Sequence, residues 1–336
     1  MPDRTAEIRW GIIGTGDISS RLVPDLLAVE GCSATAVWGR AQDRADTFAA
    51  EHGIPFATDS RTRLLERADV DAVYIATPAH THRDIAIEAL EAGKHVLVEK
   101  PMATSAVDVA EIFAKSQEVG RFAMEAMWMR FNPLHVDLMS RIEAGLIGEV
   151  RSVRASFGTP FRASGNRLRP ADGGSILLDR GIYAVTLAHW AMGQPRSATS
   201  AGVLQDAVDV AGHATLEYSG NRFAQAAWSG VEFLDLSAAI SGEHGWVTFD
   251  PMFWAGSTAR VHAGGVERIF HSPELVNHPR QGSGYQPMII AVRDALRDGL
   301  VEHPSHDSTS TVEVARTLDA VRAGVIDGSS SPVLLG

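Results

Sequence analysis

Apolar residues along this chain follow two different rhythms. Through the first 127 positions, short continuous apolar runs alternate with stretches where apolar residues recur every three or four positions. The runs 8–13, 34–38, 54–57, 71–76, 95–98 and 122–127 read as strands buried on both faces. The stretches 60–67, 81–92 and 105–119 read as helices, with Ser60 a suitable cap for the first and Gly93 a C-terminal cap for the second. Pro24 is expected to kink or shorten the helix after the first strand. Repeated strand–helix units of this length predict a doubly wound parallel sheet.

The grammar changes near residue 128. A helix is predicted over 133–144, a half-buried alternating strand over 150–157, and a further helix over 174–192. Segments 198–204, 213–218, 223–230, 237–241 and 246–249 suggest an antiparallel sheet, and 285–300 and 309–323 read as closing helices. The polar, arginine-rich loop 159–172 is long enough to suspect at a substrate mouth. The expected molecule is α/β. An amino-terminal domain over 1–127 precedes a carboxy-terminal α+β domain over 128–336 with a large, mainly antiparallel open sheet, and the closing helices are free to pack back on the first domain.

The first strand runs into Gly14-Thr15-Gly16 and then into a helical pattern. This strand–turn–helix context is where a Rossmann glycine turn cradles a dinucleotide pyrophosphate. Ser19 takes the third fingerprint position, small enough for close packing but neither Gly nor Ala. At the end of the second strand an acidic residue would favour a free ribose hydroxyl. Here Gly39-Arg40 follows, with Arg44 close behind, and an arginine suits a 2′-phosphate. NADP is therefore favoured and NAD allowed, although either arginine taken singly reads equally well as an exposed loop residue.

Composition narrows the partners. Of 336 residues 45% are hydrophobic and 21% charged, an ordinary globular balance. The net charge of −11 argues against nucleic acid. No apolar run reaches the ~20 residues that cross a bilayer, and the start lacks the apolar core of a signal peptide. A lone cysteine, Cys32, suits a reducing compartment, so a cytoplasmic location is expected.

The runs Gly11-Ile12-Ile13-Gly14-Thr15-Gly16, Thr77-Pro78 followed by His82, Gly93-Lys94-His95-Val96-Leu97-Val98-Glu99-Lys100-Pro101, and Asp179-Arg180-Gly181-Ile182-Tyr183 occur in register over essentially the whole chain. Together they resemble the Gfo/Idh/MocA oxidoreductases. Tyr183 and the stretch Glu125-Ala126-Met127-Trp128-Met129-Arg130 are similar to the tyrosine-bearing branch with dimeric dihydrodiol and D-xylose dehydrogenases. The resemblance implies cofactor contacts from Gly14, Thr15, Gly16, Asp17, Ile18, Arg40, Arg44, Thr77, Pro78, His82, Glu99, Lys100, Trp128 and Arg130. It also implies a small sugar, polyol or diol substrate and a homo-oligomer, a dimer or a dimer of dimers.

Hydride chemistry on an alcohol needs a route for the hydroxyl proton and stabilisation of the developing oxyanion. Asp179 and Tyr183 are four apart on a predicted helix and so share a face, and Gly181 between them leaves room for a close approach. Lys100 falls at the carboxyl end of a parallel strand, where such sheets bind ligands. Tyr183 exchanging the proton, Lys100 favouring its phenolate and Asp179 orienting either is the expected set, with Lys100 and Tyr183 able to trade roles. The plainer readings are a core Tyr183, a capping Asp179, a solvated Lys100, and Trp128 and Arg130 packing a domain junction. His80 and His82 lack a third ligand at metal spacing, so no metal is expected. Gly282-Ser283-Gly284 lacks the context of a hydrolase nucleophile and reads as a loop. From another functional class, a non-catalytic dinucleotide sensor is the alternative.

Overall fold

The structure, a computed structural model, describes residues 6–160, 169, 173–328 and 331–335. Its chain forms two compact units, one of Met1–Phe131 with Gln281–Thr311, the other of Asn132–Arg280 with Val312–Gly336.

In the first unit the strands are β1 (Ile8–Ile13), β2 (Cys32–Trp38), β3 (Phe56–Thr58), β4 (Ala72–Ile75), β5 (His95–Val98) and β6 (Ala123–Glu125). All pair in parallel, in the order β3-β2-β1-β4-β5-β6. The central strands β1, β4 and β5 are almost wholly buried, which is why apolar residues dominate them, half-buried Arg9 being the exception in β1. Helices α1 (Asp17–Leu27), α2 (Gln42–His52), α3 (Arg61–Leu65), α4 (His82–Glu91) and α5 (Ala106–Val119) make the crossovers. Ser60 caps α3 through the Arg63 N–H, and Gly93, at φ +79°, follows the end of α4. Pro24 does not end α1, which continues to Leu27; the neighbouring Asp25 is buried instead. Its carboxylate accepts the Ser283 N–H (3.0 Å) and Tyr285 N–H (2.8 Å) just ahead of the helix Gln286–Arg297. The loop Gly282-Ser283-Gly284 is thereby fastened to α1 as a helix start.

The second unit is built on a nine-stranded sheet. Its strands are β7 (Val150–Gly158), β8 (Ser197–Gln205), β9 (Val208–Tyr218), β10 (Arg222–Ser229), β11 (Ala238–Gly242), β12 (Gly245–Phe249), β13 (Thr258–Ala263), β14 (Glu274–Asn277) and β15 (Val333–Leu334). The order is β14-β13-β12-β11-β7-β10-β9-β8-β15, antiparallel except where β7 meets β10. Strands β13, β14 and β15 were not among the sequence expectations. One face, with Val153, Ala155, Ala224, Ala226, Trp228, Ile240 and Val247, is buried. Helices α6 (Pro133–Glu143) and α7 (Ile182–Met192) belong to this unit, and Asn132 caps α6 through the Leu134 N–H. The expected single helix over 174–192 is instead a π-helical turn, Leu177–Gly181, running into α7. Of the loop expected over 159–172, all but residues 159, 160 and 169 lies outside the described residues.

Candidate active site

The switch point of the parallel sheet lies between β1 and β4, the two strands whose crossovers leave in opposite directions. Gly14 stands there at φ +114°, and a Cβ on it would come within 2.5 Å of the Ala76 carbonyl oxygen at the end of β4. Only glycine fits that conformation and that approach. Gly16 then opens α1 in extended conformation with no side-chain cap, and a Cβ there would meet nothing within 4 Å. An uncapped helix start beside open space is what an anionic diphosphate needs, so these residues fit a dinucleotide. Asp17 and Gly16 are exposed, Thr15 and Ile18 half-buried, and Ser19 fully buried against the sheet. A Cβ on Gly39 would lie 3.2 Å from Thr15 Cγ2, so the end of β2 and the glycine turn adjoin, and exposed Arg40 and Arg44 follow directly.

Lys100 is half-buried immediately beyond β5, on a segment held by its backbone. The buried Glu99 carboxyl takes the Tyr74 hydroxyl (2.6 Å) on one oxygen and the Lys100 N–H (3.1 Å) on the other. Burial pushes the Glu99 carboxyl above its ordinary range, against the favourable charge of Lys100. Glu125 accepts the Met102 N–H (2.9 Å) and meets His306 Nε2 at 3.2 Å. His82 places Nδ1 2.9 Å from the Pro101 carbonyl and Nε2 2.8 Å from the Thr77 carbonyl, tying the end of β4 to the Lys100 segment. A neutral ring donates to only one of them, and burial pushes the His82 pKa down, opposing the doubly donating form. Trp128 packs on Tyr285 with ring centroids 5.0 Å apart, and the Arg130 guanidinium donates to the Ser305 carbonyl.

In the second unit Asp179 lies in the π-helical turn and Tyr183 in the first turn of α7. The i→i+5 winding alters the angle the four-residue spacing implied. Gly181 does not open space for a ligand: a Cβ there would meet Leu177 at 2.7 Å and the Trp228 indole at 3.4 Å. Tyr183 is buried, its ring 5.9 Å from Phe157 and 6.0 Å from Trp254. Those two half-buried rings stack at 3.5 Å and 8°. Buried Arg180 spans the Thr159 and Ser229 carbonyls, lies 5.3 Å over Phe157, and approaches Asp179 at 3.9 Å. Lys100 thus belongs to one unit and Asp179 and Tyr183 to the other. Among the described residues no group of three or more His, Cys, Asp or Glu side chains is placed to hold a metal ion.

Sequence reasoning missed Tyr74, Glu125, Asp209 and His306, all of which buttress these segments. Their signal was available: Glu125 and Asp209 are single carboxylates inside apolar runs.

A six-stranded parallel sheet with a glycine turn at its switch point defines a dinucleotide-binding fold. Residues 8–126 match an oxidoreductase family with an NAD-binding Rossmann fold, and residues 135–248 match the GFO/IDH/MocA C-terminal domain. The chain belongs to the Gfo/Idh/MocA oxidoreductase family and is an NAD(P)-dependent enzyme. It is 32% identical over 319 residues to trans-1,2-dihydrobenzene-1,2-diol dehydrogenase of Xenopus laevis, covering 93% of this chain and 96% of that one. It is also 32% identical to dTDP-3,4-didehydro-2,6-dideoxy-alpha-D-glucose 3-reductase of Actinomadura kijaniata, covering 97% and 98%. Among solved structures, the 3-ketoreductase KijD10 of Actinomadura kijaniata with NADP and TDP-benzene superposes with a TM-score of 0.84, at 32% identity over 95% of this chain and 98% of that one. No helix among the described residues is long and apolar enough to cross a membrane.

Proposed function

We propose that the enzyme transfers a hydride between NADP and a secondary alcohol or carbonyl of a sugar, polyol or vicinal diol. The observation that carries this reading is the stacked Phe157–Trp254 pair beside Tyr183, a flat apolar surface adjoining a phenol. Such a surface suits the apolar face of a ring whose hydroxyls point the other way. The names of the diol dehydrogenase and ketoreductase relatives support the same class.

Gly14, Thr15, Gly16, Asp17 and Ile18 would hold the pyrophosphate, Arg40 and Arg44 the 2′-phosphate, and Thr77, Pro78, His82, Glu99, Trp128 and Arg130 the remainder of the cofactor. Bound NADP supplies the hydride acceptor or donor. Tyr183 exchanges the hydroxyl proton, Lys100 favours its phenolate form by charge, and Asp179 orients the lysine or a substrate hydroxyl. Lys100 and Tyr183 are interchangeable in the first two roles. A cytoplasmic location belongs to this reading, supported by the single, buried Cys32. So does self-association through the other face of the nine-stranded sheet, where Phe223 and Leu275 are exposed; a single-chain mass in sedimentation velocity would refute it.

The test follows absorbance of the reduced nicotinamide with NADP and a panel of aldoses, polyols and cyclic diols. Turnover is expected with at least one class. Tyr183→Phe and Lys100→Met should each lower kcat by about 100-fold or more while NADPH binding, read by fluorescence, stays near wild type. Full turnover in both variants removes the mechanism, and NADP binding with no turnover on any substrate favours a sensor.

A further inference from the structure

Resting on that reading, we propose that Asp209 positions Asp179 and Tyr183 by fixing the π-helical turn that carries the first and leads directly into α7, which carries the second. Asp209 is the second residue of β9 and only 2% exposed. Its Oδ2 accepts the N–H of Leu177, the first residue of the turn, at 2.7 Å, and the Trp228 indole N–H at 3.2 Å. The indole in turn fills a slot between two glycines: a Cβ on Gly181 would lie 3.4 Å from it, and one on Gly212 would lie 2.5 Å from it. One carboxylate therefore binds both the start of the turn and the ring packed on its end.

The strand pairing explains how a carboxylate comes to be there. The register of β8 against β9 shifts between Val203 and Leu204, and residues 208–211 are then all buried. Such an irregularity re-aims side chains without breaking the sheet, and here it turns Asp209 inward. Burial pushes the Asp209 carboxyl up, while the Ser175 hydroxyl, the Leu177 N–H and the charge of Arg322 pull it back. Either protonation state leaves an oxygen able to accept both N–H groups. Asparagine keeps that acceptor and alanine removes it.

Two measurements separate the positioning role from the functional reading. Hydrogen exchange over 175–185 should quicken in Asp209→Ala and stay near wild type in Asp209→Asn. With the best substrate of the panel, Asp209→Ala should lower kcat about tenfold or more with the NADP KM unchanged, and Asp209→Asn should recover kcat to within about threefold. Unchanged exchange in Asp209→Ala overturns the assignment. So does quickened exchange with an unaltered kcat, or a loss in Asp209→Asn as large as in Asp209→Ala. Should Asp209→Ala not fold, Trp228→Phe decides, because it keeps an aromatic ring, though a smaller one, in the slot and loses the indole N–H. A severalfold fall in its kcat supports the assignment, and none overturns it. Wild-type protein that binds NADP and turns over nothing sinks the functional reading alone, since the exchange arm still reports whether Asp209 holds the turn.

Discussion

Arg40 is the side chain to which we assign the coenzyme preference. It follows Gly39, whose missing side chain lets the end of β2 close on Thr15 in the glycine turn. A guanidinium donating to a phosphate contributes about 1.5–3 kcal/mol, so Arg40→Ala should raise the NADP KM about 10–150-fold and leave that for NAD nearly unchanged. Steady-state kinetics with both coenzymes checks this, and an equal rise for both would place Arg40 away from the 2′-phosphate. Its position just beyond β2 was legible because strand end, glycine and arginine are adjacent in sequence. The buried carboxylates were not legible in the same way. Asp25 reaches Ser283 and Tyr285, and Asp209 reaches Leu177, through backbone N–H groups, which every residue but proline carries. A lone acid in an apolar run announces that it must be satisfied, but not by what.

Elements were legible where burial is two-sided and the pattern long. The parallel strands could be read because apolar residues dominate them, with only isolated polar positions such as Arg9 and Glu125, and α4 because its apolar spacing ends at Gly93. The π-helical turn could not, since a choice between i→i+4 and i→i+5 depends on Asp209 and Trp228 arriving from two other strands, β9 and β10. Strands β13 and β14 are short and mostly exposed on one side, which leaves too few apolar positions to establish a period of two. The segment after β5 follows the same logic as the turn, being held by Glu99, His82 and Glu125 through its main chain. Glu125→Leu would leave the buried Met102 N–H without an acceptor, at a cost of about 1–3 kcal/mol. Thermal unfolding should register that loss, and kcat should fall as the segment carrying Lys100 loosens. Glu125→Gln, which still accepts, should lose less on both counts.

For the molecule as a whole, histidines that folding keeps neutral contribute acid sensitivity, and both units have them, His82 and His95 among those of the first and His135 in the second. In the second unit His135 is fully buried, stacked on Phe249 at 4.7 Å and facing Trp190 at 6.4 Å, and its pKa is pushed down to about 3 by burial. In the first, His95 Nδ1 accepts the Phe122 N–H at 2.9 Å, a bond that protonation there would break, and burial with the charge of Arg121 lowers its pKa to about 4. Both lie below the unfolded value near 6.5, so between these limits the unfolded chain binds more protons. The stability that these two histidines contribute is therefore complete above about pH 6.5 and declines as pH falls from there toward 3–4. From pH 7 to 5 the loss from His135 is about 2 kcal/mol. The buried carboxyls Glu99 and Asp209, with raised pKa values, act in the opposite sense, so the wild-type slope alone does not isolate the histidine. A His135→Phe variant keeps an aromatic ring in the stack and removes the titrating group. Its unfolding free energy should change less between pH 7 and 5 than that of wild type, by about 2 kcal/mol in urea titrations at the two pH values. Parallel pH dependence in the two proteins would show that His135 titrates alike in the folded and unfolded chains.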